Sequence, residues 1–442
     1  MDRTPLRIGF FSDTYRPYIS GAVRSMELFA DGLRARGHSV VIFAPTYPGY
    51  TGREPGVVRL PSLPLPGYPQ LRLTLPLVET LTGQMSGFDL DIAHCHSPFA
   101  VGFLGLAVAR QMEIPALFSC HSLYEEYVRA HMPWAPNSFR RLVRRYTVDF
   151  CNLTDAVVAP SAFTRDFLVD AGVMVPVKTI PTGIVIAATG GDGGGEGSDQ
   201  GHGRVPGGRA DVGGEDGGQT ELEMAATKES VRRSWTAAVG RHTRFLLFVG
   251  RVSKEKNLGF LVDALHELVA AGRDHYLIIV GDGPDRARVA AYSEKLELGR
   301  RVVFTGALDP DQVQQFYRAA DVFVFASPHE TQGLVLLEAM ANGLPVVAVD
   351  SPASAELMVG GQSGILVPAD PSQMAAAVRR VTDSAELAEG FAERGRNRAA
   401  EFSTEAMTVQ LENFYYDLRE QQSGQKPAQP DFSFLKTLFS PR

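Results

Sequence analysis

Two glutamates, Glu330 and Glu338, flank a donor-rich turn in the stretch 328–348, PHETQGLVLLEAMANGLPVVA. The run just before it, 321–327, is short, β-branched and aromatic, and reads as a buried strand. From Gly333 the period changes, with Leu334, Leu337 and Met340 at helical spacing until Gly343 and Pro345 stop the helix. Glu330 thus falls in the loop and Glu338 in the helix. The amides of Gly333, Leu334 and Val335 lie in the first turn, where unpaired donors and the helix dipole favour an anion. A carboxylate on either side of an anion site suits a ligand with hydroxyls on both sides of a phosphate, such as a nucleotide sugar. Taken alone, the stretch reads equally as an ordinary strand-to-helix turn with two solvated glutamates.

Other residues extend the same chemistry. His121 follows a strand pattern at 115–119, at the carboxyl edge of a sheet where α/β ligands bind. It could act there as a general acid or base, as a donor to a sugar hydroxyl, or only as a cap. Arg251 and Lys256 fall between the strand at 245–249 and a helix start, where cations and amides together could neutralise a diphosphate. Gly281 opens the tight turn Gly281-Asp-Gly-Pro284, which lets a ligand approach the backbone. Gly21 opens the helix after the first strand, as in phosphate-holding βαβ units, but no G-x-G-x-x-G accompanies it and a dinucleotide is disfavoured.

Metal chemistry is not indicated. Asp89-Leu-Asp91 has the D-x-D form, yet its carboxylates would face opposite ways in an extended chain. His94 and His96, in a buried strand beside a proline, read as structural, and the three cysteines have no CxxC spacing. Arg140, Arg141, Arg144 and Arg145 fall on one face of a helical segment. They fit either a basic amphipathic helix at an anionic membrane or a solvated helix face. The proline- and leucine-dense segment 61–76 reads as a packed loop or as an apolar loop dipping into an interface.

The elements that must position these residues alternate strand and helix throughout, so the fold class expected is α/β with parallel sheets. Strand patterns at 6–11, 39–44, 92–96, 115–119, 156–161 and 177–180 outline an N-terminal domain over 1–184. A second set, at 245–249, 276–280, 302–305, 321–327, 346–349 and 364–367, outlines a domain over 229–400. Between them 187–220 is Gly-, Asp- and Ser-rich and cannot bury enough surface to order itself, so 185–228 is expected as a disordered linker. A helix at 401–420 is expected to pack back toward the N-terminal domain, leaving a tail at 421–442.

At 442 residues the chain is too long for one compact core, and its 44% hydrophobic and 21% charged residues are those of an ordinary globular protein. The net charge of −7 argues against a general nucleic-acid partner. Residues 1–181 nevertheless hold 17 basic and 15 acidic groups, so the N-terminal half leans basic on an acidic protein. With a strand almost at the N-terminus and no apolar run near the length of a spanning helix, the expected place is the cytoplasm, peripheral on the inner face of the membrane.

The glycine-opened first helix, His121 after its strand, Gly250-Arg251 with Glu255-Lys256, Gly281-Asp-Gly-Pro284 and Glu330-x7-Glu338 occur in that order. Together they resemble the retaining GT-B glycosyltransferases of family 4, along most of the chain outside 187–220 and the tail. The family fold is two Rossmann-like parallel-sheet domains facing across a cleft. Within the family, Glu330-Thr-Gln-Gly-Leu334, Ser97-Pro-Phe99 and His121-Ser-Leu-Tyr-Glu-Glu-Tyr127 look most like the bacterial diacylglycerol α-glucosyltransferases. Phosphatidylinositol mannosyltransferases are near relatives. The resemblance implies a UDP-sugar donor, a lipid acceptor at an anionic membrane surface, and no metal or other cofactor. It places Arg251 and Lys256 on the donor diphosphate with the amides of Gly21, Leu334 and Val335, Glu338 on the ribose and the backbone near Leu308 on the base. It places Glu330 on the transferred sugar with the amides of Thr331, Gln332 and Gly333, and His121 beside the reacting sugar from the opposite domain.

Thr331-Gln332 is the pair that points to a lipid acceptor. The alternatives that stay open are a GDP-mannose-dependent mannosyltransferase and a non-catalytic nucleotide-sugar-sensing membrane scaffold. Front-face attack, with the donor phosphate helping to deprotonate the acceptor, is favoured over covalent double displacement, since no carboxylate stands out as a nucleophile. Two departures stand out: one glycine where the family usually has a pair, and an insert that lengthens the interdomain hinge and would loosen domain closure.

Overall fold

The computed structural model describes residues 3–50, 52, 54–65, 68–74, 86–132, 134–186, 243–328 and 330–422. Apart from their first two residues each, the linker expected at 185–228 and the tail at 421–442 lie outside the described residues. The N-terminal domain contains β1 (Arg7–Phe11), α1 (Gly21–Ala35), β2 (Ser39–Pro45), β3 (Val57–Leu60), β4 (Ser62–Leu65), β5 (Tyr68–Thr74) and β6 (Ile92–Cys95). It continues with α2 (Ala100–Gln111), β7 (Ala116–Ser119), α3 (Tyr124–His131), α4 (Asn137–Cys151), β8 (Ala156–Ala159), α5 (Ala162–Asp170) and β9 (Val177–Thr179). Seven of its strands form one parallel sheet in the order β3-β2-β1-β6-β7-β8-β9.

The second domain opens with β10 (Arg244–Val249), α6 (Leu258–Ala270), β11 (His275–Val280), α7 (Arg286–Lys295), β12 (Val302–Gly306), α8 (Pro310–Ala319) and β13 (Val322–Phe325). It closes with α9 (Leu334–Ala341), β14 (Val346–Val349), α10 (Pro352–Leu357), β15 (Gly364–Val367), α11 (Pro371–Asp383) and α12 (Ala385–Ala400). Its sheet is also parallel, ordered β12-β11-β10-β13-β14-β15. Central strands are buried along their whole length, as a sheet covered by helices on both faces requires. In each sheet the order reverses beside the first strand, β1 or β10, so the loops there open a crevice at the carboxyl edge.

The last helix, α13 (Thr404–Gln422), leaves the second domain and packs on the first. Its Leu411 and Tyr415 share a core with Leu6, Ile8 and Phe10 of the N-terminal domain and with Val23 and Met26 of α1. The chain therefore crosses between domains twice, and the crossings touch. The Ile184 amide donates to Phe402 O at 2.8 Å, and the Thr404 amide donates to Ile184 O at 3.0 Å. Between these bonds there is no room for a side chain, since a Cβ on Gly183 would stand 2.5 Å from Thr404 Cα.

The described residues of 61–76, namely 61–65 and 68–74, are neither of the loops expected. They fold into the antiparallel hairpin β4–β5, with Leu63 opposite Leu73 and both half-exposed. On the other face the Arg72 guanidinium is buried, donating to Ser62 O at 2.7 Å. Alternation along the strands, rather than the prolines, decides which side is wet.

Candidate functional site

The carboxyl edges of the two sheets face one another across a cleft of about 1880 Å³. That is larger than a site for one drug-sized ligand, and it has room for two substrates. Its second-domain wall is made by Arg251 and Lys256 after β10, Gly281 after β11, Leu308 after β12, and Glu330 to Val335 after β13. Its first-domain wall includes Gly21, Tyr18, His96 and His121.

Helix α9 begins at Gly333 with no side-chain cap, so the amides of its first turn are left for a ligand. Opposite, α1 begins at Gly21. Ser20 Oγ accepts there from the Val23 amide, while a Cβ on Gly21 would meet nothing within 4 Å. Backbone and ligand can approach closely at this point. Gly281 has a packing reason to be glycine beside the close ligand approach its turn suggested. Its φ is +132°, and a Cβ there would lie 2.0 Å from Gly250 O. It packs the loops after β10 and β11 together, which in turn positions Arg251.

The charges are paired across loops. The Lys256 ammonium donates to Glu330, joining the 254–256 turn to the loop before α9. Arg251 donates to Tyr18 Oη of the other domain at 3.1 Å. Glu338 does not line the cleft. It stands further along α9, where Tyr317 Oη donates to it at 2.8 Å. Burial raises its pKa, partly offset by the Tyr317 hydrogen bond and the nearby Arg24 charge of α1.

Thr331 and Gln332 behave differently from the other residues of the loop. Gln332 is buried, and its side chain grips the backbone of Thr182 at the interdomain crossing. The Thr182 amide donates to Oε1 at 2.9 Å and Nε2 donates to Thr182 O at 2.8 Å. Its side-chain amide is thereby anchored to the backbone of the interdomain crossing. Thr331 Oγ1 donates to His121 O at 3.0 Å, and Thr331 O accepts from Thr164 Oγ1 at 3.3 Å. Glu356 of α10 accepts from the amides of Ala162 and Phe163 at the start of α5, at 2.8 and 3.3 Å. These are domain-to-domain contacts that no spacing in the sequence announces. Gln332→Ala would strand two buried backbone groups and is expected to cost about 2–4 kcal/mol. The urea midpoint of the purified variant measures it.

His121 lines the cleft, and its Nε2 lies 2.9 Å from His96 Nδ1 with the two rings stacked. His94, two residues before His96, is boxed in by Ser119 Oγ and Tyr415 Oη, each at 2.7 Å. The structural expectation thus describes His94, whereas His96 reaches the site. An H-x-H strand reads the same whatever packs over it. Burial lowers all three rings, His121 to about 4. Burial also takes His275, at the start of β11, to about 4. These histidines favour the folded state above the unfolded value near 6.5, and that contribution is lost as pH falls from about 6.5 to 4. Stability should therefore drop through that window, with His275 alone accounting for about 2 kcal/mol between pH 8 and pH 5, measurable as urea midpoints at those two values.

The four arginines of α4 do not form one basic face. Arg144 pairs with Glu125 of α3 at 2.5 Å and lies over the Phe167 ring. Arg140 and Arg141 line a shallow groove with Glu125 and Glu126. Arg141 is exposed, and Arg145 is exposed at the cleft rim, 3.6 Å from Asp149. The acidic first turn of α3 packs against α4 and neutralises the Arg140–Arg144 row, which a single-helix projection cannot show. Asp89 and Asp91 both pair with Arg7 at the opposite edge of the sheet, and among the described residues no cluster of metal-ligating side chains occurs.

From the loop before α9 the cleft continues between α3 and α4 along a mainly apolar wing of Phe99, Leu123, Tyr127, Val128, Met132, Phe139, Leu142 and Val143, with Glu126, Arg145 and Asp149 also in its lining. Leu142 is 52% exposed, and Trp134 in the α3–α4 turn is 76% exposed, so the wing ends in an apolar lip. Among the described residues no helix is long and apolar enough to cross a membrane.

Comparison with known proteins gives a consistent result. Residues 19–187 match the model for Glycosyltransferase Family 4, and residues 234–398 match that for Glycosyl transferases group 1. The alpha-monoglucosyldiacylglycerol synthase of Streptococcus pneumoniae is 28% identical over 98% of the chain and 91% of its own length. The GDP-mannose-dependent alpha-mannosyltransferase of Mycobacterium tuberculosis is 30% identical over 82% of the chain and 84% of its own. Among solved structures, sucrose-phosphate synthase from Thermosynechococcus elongatus superposes with a TM-score of 0.71 at 20% identity, covering 94% of this chain and all of that one.

Proposed function

The chain belongs to glycosyltransferase family 4 and has the GT-B fold, and from that premise we propose that it moves glucose from UDP-glucose to diacylglycerol at a membrane surface, with retention of configuration and without a metal. The observation that carries the lipid acceptor is the apolar wing between α3 and α4. A sugar acceptor would need polar walls, whereas these side chains suit acyl chains entering from the exposed lip at Trp134. Membrane contact rests on that lip with Arg145, since Arg140, Arg141 and Arg144 lie beside the acidic turn of α3. Similarity to the pneumococcal synthase along nearly the whole chain favours the same substrates.

In this reading Arg251, Lys256 and the amides of Gly21, Leu334 and Val335 hold the diphosphate. As the bond from the sugar's anomeric carbon to the diphosphate breaks, these groups stabilise the negative charge left on UDP. Glu330 holds hydroxyls of the transferred glucose together with the amides of Thr331 to Gly333. The acceptor hydroxyl attacks from the face that UDP leaves, and its proton passes to the departing phosphate oxygen. The backbone at Leu308 serves the base, whereas Glu338, set back from the cleft and held by Tyr317, takes no part in this reading.

A screen of nucleotide sugars against liposomes containing diacylglycerol, with product identification, tests the reading. The expected product is an α-glucosyl lipid from UDP-glucose. Transfer only to water-soluble acceptors would remove the lipid assignment. Mannosyl transfer from GDP-mannose, which the resemblance to the mycobacterial enzyme favours, would replace the donor.

A further inference from the structure

We propose that His96 is a positioning residue that fixes the tautomer of His121, so that His121 presents Nδ1–H to the cleft as a donor and not as a base. The inference rests on the reading that the cleft transfers a sugar. His96 and His121 come from the ends of adjacent strands, β6 and β7, and their rings lie 13° from parallel with centroids 5.2 Å apart. One proton must lie between His96 Nδ1 and His121 Nε2, 2.9 Å apart. Two neutral arrangements satisfy that bond. Either His96 donates, and His121 carries its own proton on Nδ1, or His121 donates, and His96 carries a proton on Nε2.

His96 Nε2 decides between them. It is fully buried, and no hydrogen-bond partner reaches it among the described residues. The rings of Phe10 and His94, with centroids 4.5 and 4.1 Å from that of His96, flank it. Buried N–H groups without an acceptor are rarer in folded proteins than bare lone pairs. The proton therefore sits on His96 Nδ1, and His96 Nε2 is bare. His121 is then the Nδ1–H tautomer, and Nδ1 is the nitrogen that His96 leaves free for a ligand. Thr331 Oγ1, donating to His121 O, holds the backbone at the same point. In this form His121 cannot take the acceptor's proton. It can only donate to a sugar oxygen, which leaves proton removal to the departing phosphate.

The test uses full-length protein labelled with 15N in its histidine rings, without substrate, with the His121 signals assigned by their loss in His121→Ala. The expected spectrum shows His121 protonated on Nδ1 and bare on Nε2. A His121 protonated on Nε2 would overturn the proposal, whatever the donor or acceptor proves to be. Two variants extend it to catalysis. In His96→Asn the amide nitrogen can occupy the place of Nδ1, whereas in His96→Gln it overlays Nε2. The Gln variant should lose ~100-fold in kcat and show a mixed His121 tautomer, and the Asn variant should recover most of that loss at equal melting temperature. Equal losses in both would reduce His96 to a packing residue.

Discussion

Lys256→Met is expected to lower transfer about a thousandfold, the upper end of the loss seen when one preorganised stabiliser of a developing anion is removed. Methionine keeps the length and apolar stem of the side chain, so the fold should persist. Two effects add. The departing diphosphate loses a cation that needs no reorganisation, and Glu330 loses the ammonium that holds it in place. Lys256→Arg should fall between, because the charge survives but the planar fork is a poor substitute for a compact ammonium. Arg251→Ala is expected to cost less, about a hundredfold, since the remaining cation and the α9 amides still face the phosphates. Steady-state rates at saturating donor, with circular dichroism to confirm folding, decide the matter. A Lys256→Met enzyme within tenfold of wild type would end the leaving-group role.

Glu330→Gln should be nearly as damaging, with kcat down about a hundredfold. The substitution preserves shape and one acceptor oxygen, so a purely structural glutamate would tolerate it. A glutamate that binds sugar hydroxyls while anchoring Lys256 would not. The distribution of the loss is informative. If kcat and kcat/KM fall together, the contact belongs to the transition state. If only KM for the donor rises, Glu330 grips the ground state equally and is a binding residue.

Much of this site could be read before any coordinates existed, and the reason is local. Strand, loop and helix at 321–341 announce themselves by period, and the chemistry of Glu330, Lys256 and Arg251 follows from sitting at such junctions. The parallel α/β architecture was legible for the same reason. What could not be read depends on partners far along the chain. Gln332 looked like part of a recognition motif, yet its side chain answers to Thr182, 150 positions earlier. The arginines of α4 projected onto one face of a lone helix, and only the neighbouring α3 shows that half of that face is already neutralised. His96 was indistinguishable from His94 until His121 was packed beside one and Tyr415 beside the other.

The paired crossing at Ile184 and Thr404 changes what the long insert can do. Ile184 already belongs to the core of the second domain, and Thr243, where described chain resumes, is buried and donates to Asp274 of that same domain. Both ends of 187–242 are therefore moored to one body. A tether stretched between two moving bodies would alter their motion, whereas a stretch with both flanks on one of them does not. The separation of those flanks is the same whether the cleft is open or shut, so the length of the stretch between them drops out of the equilibrium between the two. Where the sequence alone suggested looser closure, the anchoring of the flanks leads to a different expectation. Shortening the Gly-rich stretch 187–220 is expected to leave donor affinity and turnover unchanged, which steady-state kinetics of the shortened protein would measure.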